Sequence, residues 1–277
     1  PPASAITTVT FHLFNFAEFR GPEDYSLVSG NTSQVSSKHC GCVVLEAGGW
    51  RITLAATVDT RDLAKALKEQ GGHVITHVGT VARDDGSTFN TAEAEDVLTC
   101  LHYFLSFAIG RWAGLALPVG FDADGDRVYE QWGMRRTSPD LWDGAMAWFD
   151  PLCGGLLKEV FPGFFALWNS ELWRRPLTEA LYWYLGACRG GAGIGVDTGL
   201  ILAQTALELL AWTYCVQDRK MVSQAAFKPR GLSAADKLRL LACSVGVPTH
   251  IPAELPYLLA KPGHKWIDGM EAVTAIR

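Results

Sequence analysis

The chain has 277 residues, 48% of them hydrophobic and 19% charged, with a formal net charge of −5. This composition is typical of a globular protein with enough apolar material for a core. The negative charge excludes a global positive field that would attract nucleic acid, so any RNA or DNA contact needs a local basic patch. Seven scattered cysteines and no visible secretory signal lead us to expect a cytoplasmic protein.

Residues 1–133 are predicted to form a β-rich domain. "ITTVTFHLF" alternates apolar and polar residues from Ile6, which is typical of a half-buried strand. The polar, turn-rich segment that follows predicts a loop at 29–38. Further strands are expected on both sides of Gly48-Gly49, in "HVITHVGTVAR", and in a hairpin around Asp124-Gly125.

Two helices interrupt these strands. Asp59 or Thr60 begins "RDLAKALKEQ", and Gly71 closes it. Asn90 and Glu93 form a capping box that opens a longer amphipathic helix, which is expected to end at Gly110.

The second half of the chain is predicted to be helical. A Trp-rich connector covers 134–190, and the glycine-rich break "RGGAGIG" at 189–195 separates it from a domain at 191–277. The helix at 197–217 is apolar nearly all round, which predicts a buried core helix and not a membrane span. Capping pairs, Ser233 with Asp236 and Asp268 with Glu271, open two later helices.

Metal-ligating residues occur in an unusual arrangement. His39, Cys40 and Cys42 lie nearly side by side, and His73 and His77 are expected on one face of a strand. A zinc site needs four ligands with recognisable spacing, and C-x-C is not the usual pair. We therefore predict no metal and no cofactor, with the histidines on a solvated face. A metal-dependent enzyme that uses these five residues is the weakest of three functional hypotheses.

Glu208 is the most informative residue of the apolar helix. A buried carboxylate is costly unless it is paired or hydrogen-bonded. Gln204 lies one turn earlier on the same stripe, so one interpretation is a polar stripe at the helix surface. The other is that Glu208 meets a cation in the core, and Arg277, on the final helix, is a candidate.

Several segments of the chain resemble one known protein family. "GLILAQTALELLAW", "LSAADKLRLL", "GVPTHIPAELPYL" and "DGMEAVTAIR" are similar to the C-terminal HEPN domain of ApeA-like bacterial proteins, and "VTFHLFNFAEF", "GGHVITHVGTVARDDGSTF" and "LHYFLSFAIGRW" to the domain that precedes it. The resemblance implies an α+β chain that ends in a HEPN-like helical bundle. HEPN ribonucleases use an Arg, about four to six residues, then a His. Arg277 matches the Arg, so the sequence is expected to be cut within this motif.

The same resemblance implies a function and roles for two residues. The function is metal-independent RNA cleavage by an endoribonuclease in bacterial anti-phage defence, with the β-rich domain as sensor or regulator. Arg277 would be catalytic, and Glu208 would orient it. The expected partners are an RNA substrate and a second copy of the chain, paired through the HEPN domain, with no membrane. The alternative hypothesis is a non-enzymatic HEPN-like module for dimerisation or ligand binding.

Overall fold

A computed structural model describes residues 5–22, 25–29, 33–37, 41–57, 59–134, 140, 147–189, 195–228, 230–255 and 266–275. The chain divides into two compact units, Pro1–Trp168 and Asn169–Arg277. The predicted mixture of a β-rich first part and a helical second part is confirmed at this level. The boundary lies inside the segment predicted as a connector, so one of its helices belongs to each unit.

The first unit contains a six-stranded antiparallel sheet in the order β4-β5-β6-β1-β7-β8. A separate hairpin pairs β2 with β3. The strand bounds are β1 Thr8–Phe14, β2 Tyr25–Ser29, β3 Ser33–Ser37, β4 Cys42–Ala47, β5 Trp50–Ala56, β6 Ile75–Arg83, β7 Gly114–Phe121 and β8 Arg127–Glu130. The prediction of a loop throughout 29–38 is wrong, because 33–37 form a paired strand.

The alternation of apolar and polar residues explains why the central strand β1 buries one face of the sheet. Val9, Phe11 and Leu13 of β1 are fully buried, while the residues between them are only half-buried. Phe11 lies opposite Gly79 of β6, and a Cβ atom added to Gly79 would come within 2.1 Å of the Phe11 ring. The aromatic ring therefore occupies the space that the glycine leaves open on the neighbouring strand.

The described part of the first unit contains three helices: α1 Thr60–Gln70, α2 Thr91–Ile109 and α3 Gly155–Trp168. The predicted capping box of α2 is present, with Asn90 and Glu93 each bonding to the other's backbone N–H. Gly110 ends α2 in the left-handed conformation, as predicted. Phe104 of α2 packs against Phe161 and Phe164 of α3, with ring centroids 5.1 and 5.3 Å apart.

The second unit is built from helices. They are α4 Arg174–Cys188, α5 Val196–Trp212, α6 Gln224–Phe227, α7 Ala234–Ser244 and α8 Gly269–Ala275, and a π-helical turn, Thr213–Asp218, continues α5. Helix α5 contacts α4 and α7, and α7 contacts α8. Of the predicted junction at 189–195, residues 190–194 lie outside the described residues.

Helix α5 is less buried than its composition suggested. Val196, Ile201 and Leu207 expose 72%, 51% and 40% of their surface, so the prediction of a buried core helix is wrong for this side of α5. Among the described residues, Val196–Asp218 is the one helical stretch long and apolar enough to cross a membrane by length and composition alone. The core helix of a soluble protein meets the same criterion.

Candidate functional site

Glu208 lies on α5 and faces α7. Its Oε2 atom is 3.6 Å from the Nζ atom of Lys237, and the Glu208 side chain is 32% exposed. Of the two interpretations left open by the sequence, a polar stripe and a cation partner, the second is met in the described structure by Lys237. The predicted partner, Arg277, lies outside the described residues, so the contact between Glu208 and Arg277 stays a prediction.

Lys237 is held by two favourable electrostatic contacts. Its side chain is only 10% exposed, and besides Glu208 its Nζ atom lies 4.9 Å from the centre of the Phe227 ring. A buried ammonium group is costly unless a carboxylate or an aromatic face compensates for its lost hydration. The two contacts together therefore allow a charged lysine at this depth, beside a carboxylate that solvent still reaches.

Gln204 connects the same face of α5 to the last helix. The residue is 3% exposed, and its Nε2 atom donates a 2.9 Å hydrogen bond to the backbone oxygen of Val273 in α8. In a regular α-helix this oxygen would accept from the N–H group four residues later, which is that of residue 277. Gln204 thus anchors the helical turn from which Arg277 follows.

The beginning of α8 is fixed by an arginine on α7. Arg239 donates to both carboxylate oxygens of Asp268, from Nε at 2.6 Å and from the second terminal nitrogen at 3.0 Å, and it also contacts Asp236. The bidentate arginine lowers the pKa of Asp268 from its usual value, and the carboxylates raise that of Arg239. Sequence reasoning found the caps but missed this clamp.

Asp268 also caps α8. Its Oδ1 atom accepts from the backbone N–H of Glu271 at 3.0 Å, and the Glu271 carboxylate accepts from the N–H of Ile267 at 2.5 Å. The predicted Asp268–Glu271 cap is therefore present, although the return bond reaches the residue before Asp268. Together with Gln204, the cap and the arginine hold the short helix α8 at both ends.

The histidine and cysteine residues do not form a metal centre in the part of the chain that the structure describes. His39 and Cys40 lie outside the described residues, Cys42 is buried in β4, and His73 precedes β6. His77 is fully buried, so the prediction of histidines on a solvated face is wrong for this residue.

His77 belongs instead to an aromatic core. Its ring stacks on Phe19 and meets the edge of Phe16, with centroids 5.4 Å apart in both cases. Its Nδ1 atom lies 3.0 Å from the hydroxyl oxygen of Thr76. Burial in this apolar surrounding lowers the pKa of His77 from 6.5 to about 3. The imidazole is therefore neutral at physiological pH and has a structural position.

The candidate site is consequently the face shared by α5, α7 and α8. It presents the partly exposed carboxylate of Glu208 close to a buried ammonium group, Lys237. Glu208 could orient a further cation, because a carboxylate has two oxygens and about four acceptor positions. Such a cation could in turn hold a phosphoryl group. Gln204 holds α8, the last described helix before Arg277 in the sequence, against this face.

Comparison with known proteins identifies both parts of the chain. A family model described as the YopA central domain matches residues 1–142, and one described as the YopA C-terminal domain matches residues 170–277. The SPbeta prophage-derived uncharacterized protein YopA of Bacillus subtilis (strain 168) is 29% identical over 218 residues, which cover 78% of this chain. The chain spans about half of that relative, 48% of its length, and no solved structure matches. The chain belongs to the YopA family.

Proposed function

We propose that the helical unit cleaves RNA without a metal ion, as a HEPN-type endoribonuclease in bacterial anti-phage defence. In this proposal the chain acts in the cytoplasm as a homodimer paired through its helical unit, and the β-rich unit senses the trigger or regulates cleavage. The observation that carries the proposal is the position of Glu208. Its carboxylate is one-third exposed, on the helix face to which Gln204 anchors the segment that leads to Arg277.

The chemistry suits these residue types. In metal-free cleavage the 2′-oxygen of RNA bonds to the adjacent phosphorus while the bond to the 5′-oxygen breaks. A histidine with a pKa near neutrality moves the proton, and the resemblance places that histidine after Arg277. Arg277 would hold the phosphoryl oxygens as negative charge develops. Glu208 would fix the direction of the arginine, because a carboxylate can accept from two of its N–H groups.

A second candidate function is non-enzymatic dimerisation or ligand binding. The exposed Ile201 and Leu207 of α5 favour it, because a partner that covers them would remove apolar surface from water. The two functions differ in one measurable respect: a binding module leaves RNA intact at every protein concentration.

Cleavage of labelled RNA by the product of the whole gene, in buffer with EDTA, tests the proposal. We expect cleavage in EDTA, a loss of about 100-fold or more in Arg277→Ala, and a smaller loss in Glu208→Gln. Glu179→Gln is the matched control, because Glu179 forms an exposed pair with Arg175 within α4. Undiminished cleavage by Arg277→Ala, or cleavage that EDTA abolishes, would contradict the proposal.

A further inference from the structure

An exposed cationic segment lies after α5, which we name the basic turn: Arg219, Lys220, Lys228 and Arg230. All four side chains are exposed, and no acidic residue occurs between positions 219 and 235. The whole chain carries a net charge of −5, so this stretch has the opposite sign to the rest of the protein. It supplies the local basic patch that nucleic-acid binding requires in an acidic chain.

Backbone hydrogen bonds hold the first half of the basic turn in place. Lys220 adopts a left-handed conformation, with φ at 51°, which is uncommon for a residue other than glycine. The neighbouring amides secure it: the N–H of Arg219 donates to Tyr214 at 2.8 Å, and that of Met221 donates to Cys215 at 2.7 Å. The two cations are thus presented from an ordered backbone, which lowers the entropy lost on binding.

The second half of the turn is fixed in the same way and borders the same core. The N–H of Gly231 donates to the carbonyl of Lys228 at 2.8 Å. Phe227, directly before Lys228, packs in a small hydrophobic cluster with Cys215 and Val216, which lie a few residues before Arg219. Both pairs of cations therefore flank one cluster of the helical unit.

Neighbouring carboxylates are occupied elsewhere. Asp218 accepts a 3.1 Å hydrogen bond from the indole of Trp173, and Asp236 accepts from Ser233 at 2.7 Å and pairs with Arg239. Within the described residues, no carboxylate pairs with a cation of the basic turn. Among the residues that the structure describes, its positive charge is therefore left to solvent and to anionic ligands.

Aromatic rings adjoin the cations. The guanidinium carbon of Arg219 lies 5.5 Å from the centre of the Tyr214 ring, and that ring lies 6.4 Å from Trp173. Cationic side chains beside aromatic rings are the combination that binds single-stranded nucleic acid, because the cations follow the phosphates and the rings stack on bases.

We propose that the basic turn binds the phosphate backbone of single-stranded RNA. The choice of RNA rests on the proposed function, while the site itself rests on the exposure, charge and ordered backbone of these four residues. Each cation that contacts a phosphate releases counterions from the nucleic acid. For single strands, the slope of log K for binding against log salt concentration therefore becomes more negative by about 0.7 per contact.

The test is the affinity of the product of the whole gene for a labelled 2′-O-methyl oligouridine across a salt series. This RNA lacks the 2′-OH nucleophile, so binding is measured whether or not the protein cleaves RNA. We expect the double variant Lys220→Gln/Lys228→Gln to reduce the salt slope by about 1.4 and to bind about 20-fold more weakly at 0.1 M salt. Lys65→Gln/Lys68→Gln on α1 removes the same charge from two other exposed lysines and should change neither quantity.

Equal slopes for the double variant and its control would overturn the proposal. Binding of the wild type to vesicles of anionic phosphatidylglycerol, without binding to the RNA, would also overturn it and would assign the basic turn to a lipid surface. Salt-dependent binding that the variant weakens, in a protein that fails to cleave RNA, would support the basic turn and contradict the nuclease proposal alone.

Discussion

Acid should destabilise the first unit through one residue, His77. Its imidazole is fully buried among aromatic rings, and burial lowers its pKa from 6.5 to about 3. The unfolded chain therefore binds a proton below pH 6.5, whereas the folded chain does not until about pH 3. Stability is complete above pH 6.5 and falls by about 1.4 kcal/mol per pH unit in this window. At pH 5 the loss is about 2 kcal/mol.

Urea unfolding at pH 7.5 and pH 5 measures this effect, with hydrogen exchange of the β6 amides as the signal from the first unit. His77→Phe removes the titration and keeps an aromatic ring in the core, so its free energy of unfolding should change less between the two pH values than that of the wild type. His250→Gln removes an exposed histidine and should retain the full wild-type dependence. A His77→Phe variant with the same pH dependence as the wild type would refute the reasoning.

Two further predictions concern the sheet and the glycine-rich segment 189–195, predicted as the junction between the connector and the C-terminal helical domain. Gly79→Ala should lower the free energy of unfolding by about 1–3 kcal/mol, because its Cβ would come within 2.1 Å of the Phe11 ring, and thermal unfolding measures it. An unchanged melting temperature would show that the ring moves without cost. Limited proteolysis should cut first within 189–195, where four glycines make the backbone permissive. A first cut confined to 29–38 would count against this junction.

Local signals in the sequence predicted much of the fold correctly. The alternation of β1, the capping box of α2 and its left-handed Gly110 each depend on residues within a few positions of one another. Such patterns depend on contacts within a single helix or strand, so the packing of the rest of the chain does not change them. The cap of α7 is a further case, since Ser233 accepts from the N–H of Asp236 as predicted.

Burial was harder to predict, because it depends on what covers an element. The apolar composition of α5 indicated a buried helix, yet Ile201 and Leu207 remain largely exposed while the polar Gln204 is buried. The reverse error occurred at His77. Thr76 and His77 are consecutive residues of β6, and both are fully buried, because Phe16 and Phe19 fold over this end of the strand. Alternation alone cannot reveal such a cover.

In the candidate site, too, the sequence predicted what depends on one element and missed what depends on contacts between elements. The sequence singled out Glu208 because a carboxylate in an apolar helix requires a partner. It did not identify Lys237, because that residue lies on another helix and its spacing to Glu208 carries no pattern. Arg239 and Asp268, 29 residues apart, were missed for the same reason. Pairing between helices is decided by tertiary packing, which a single sequence does not display.

The clamp between Arg239 and Asp268 yields a final prediction. The two side chains are 27% and 9% exposed, so their pair is partly shielded from water and is stronger than a surface ion pair. Asp268→Ala removes both this pair and the helix cap and should cost about 2–4 kcal/mol in local stability. Asp268→Asn keeps an acceptor for the cap and should cost about half as much.

Hydrogen exchange of the backbone amides of α8 separates local release from general destabilisation. In Asp268→Ala these amides should exchange faster, while those of α4, which packs on α5, should keep their wild-type rates. The effect should also appear in the wild type under acid, because the lowered pKa of Asp268 means that its stabilising contribution is present above the ordinary carboxyl pKa and is lost as the pH falls through the lowered value. Equal acceleration in α4 and α8 would show that Asp268 supports the whole helical unit and does not act specifically on the helix that leads to Arg277.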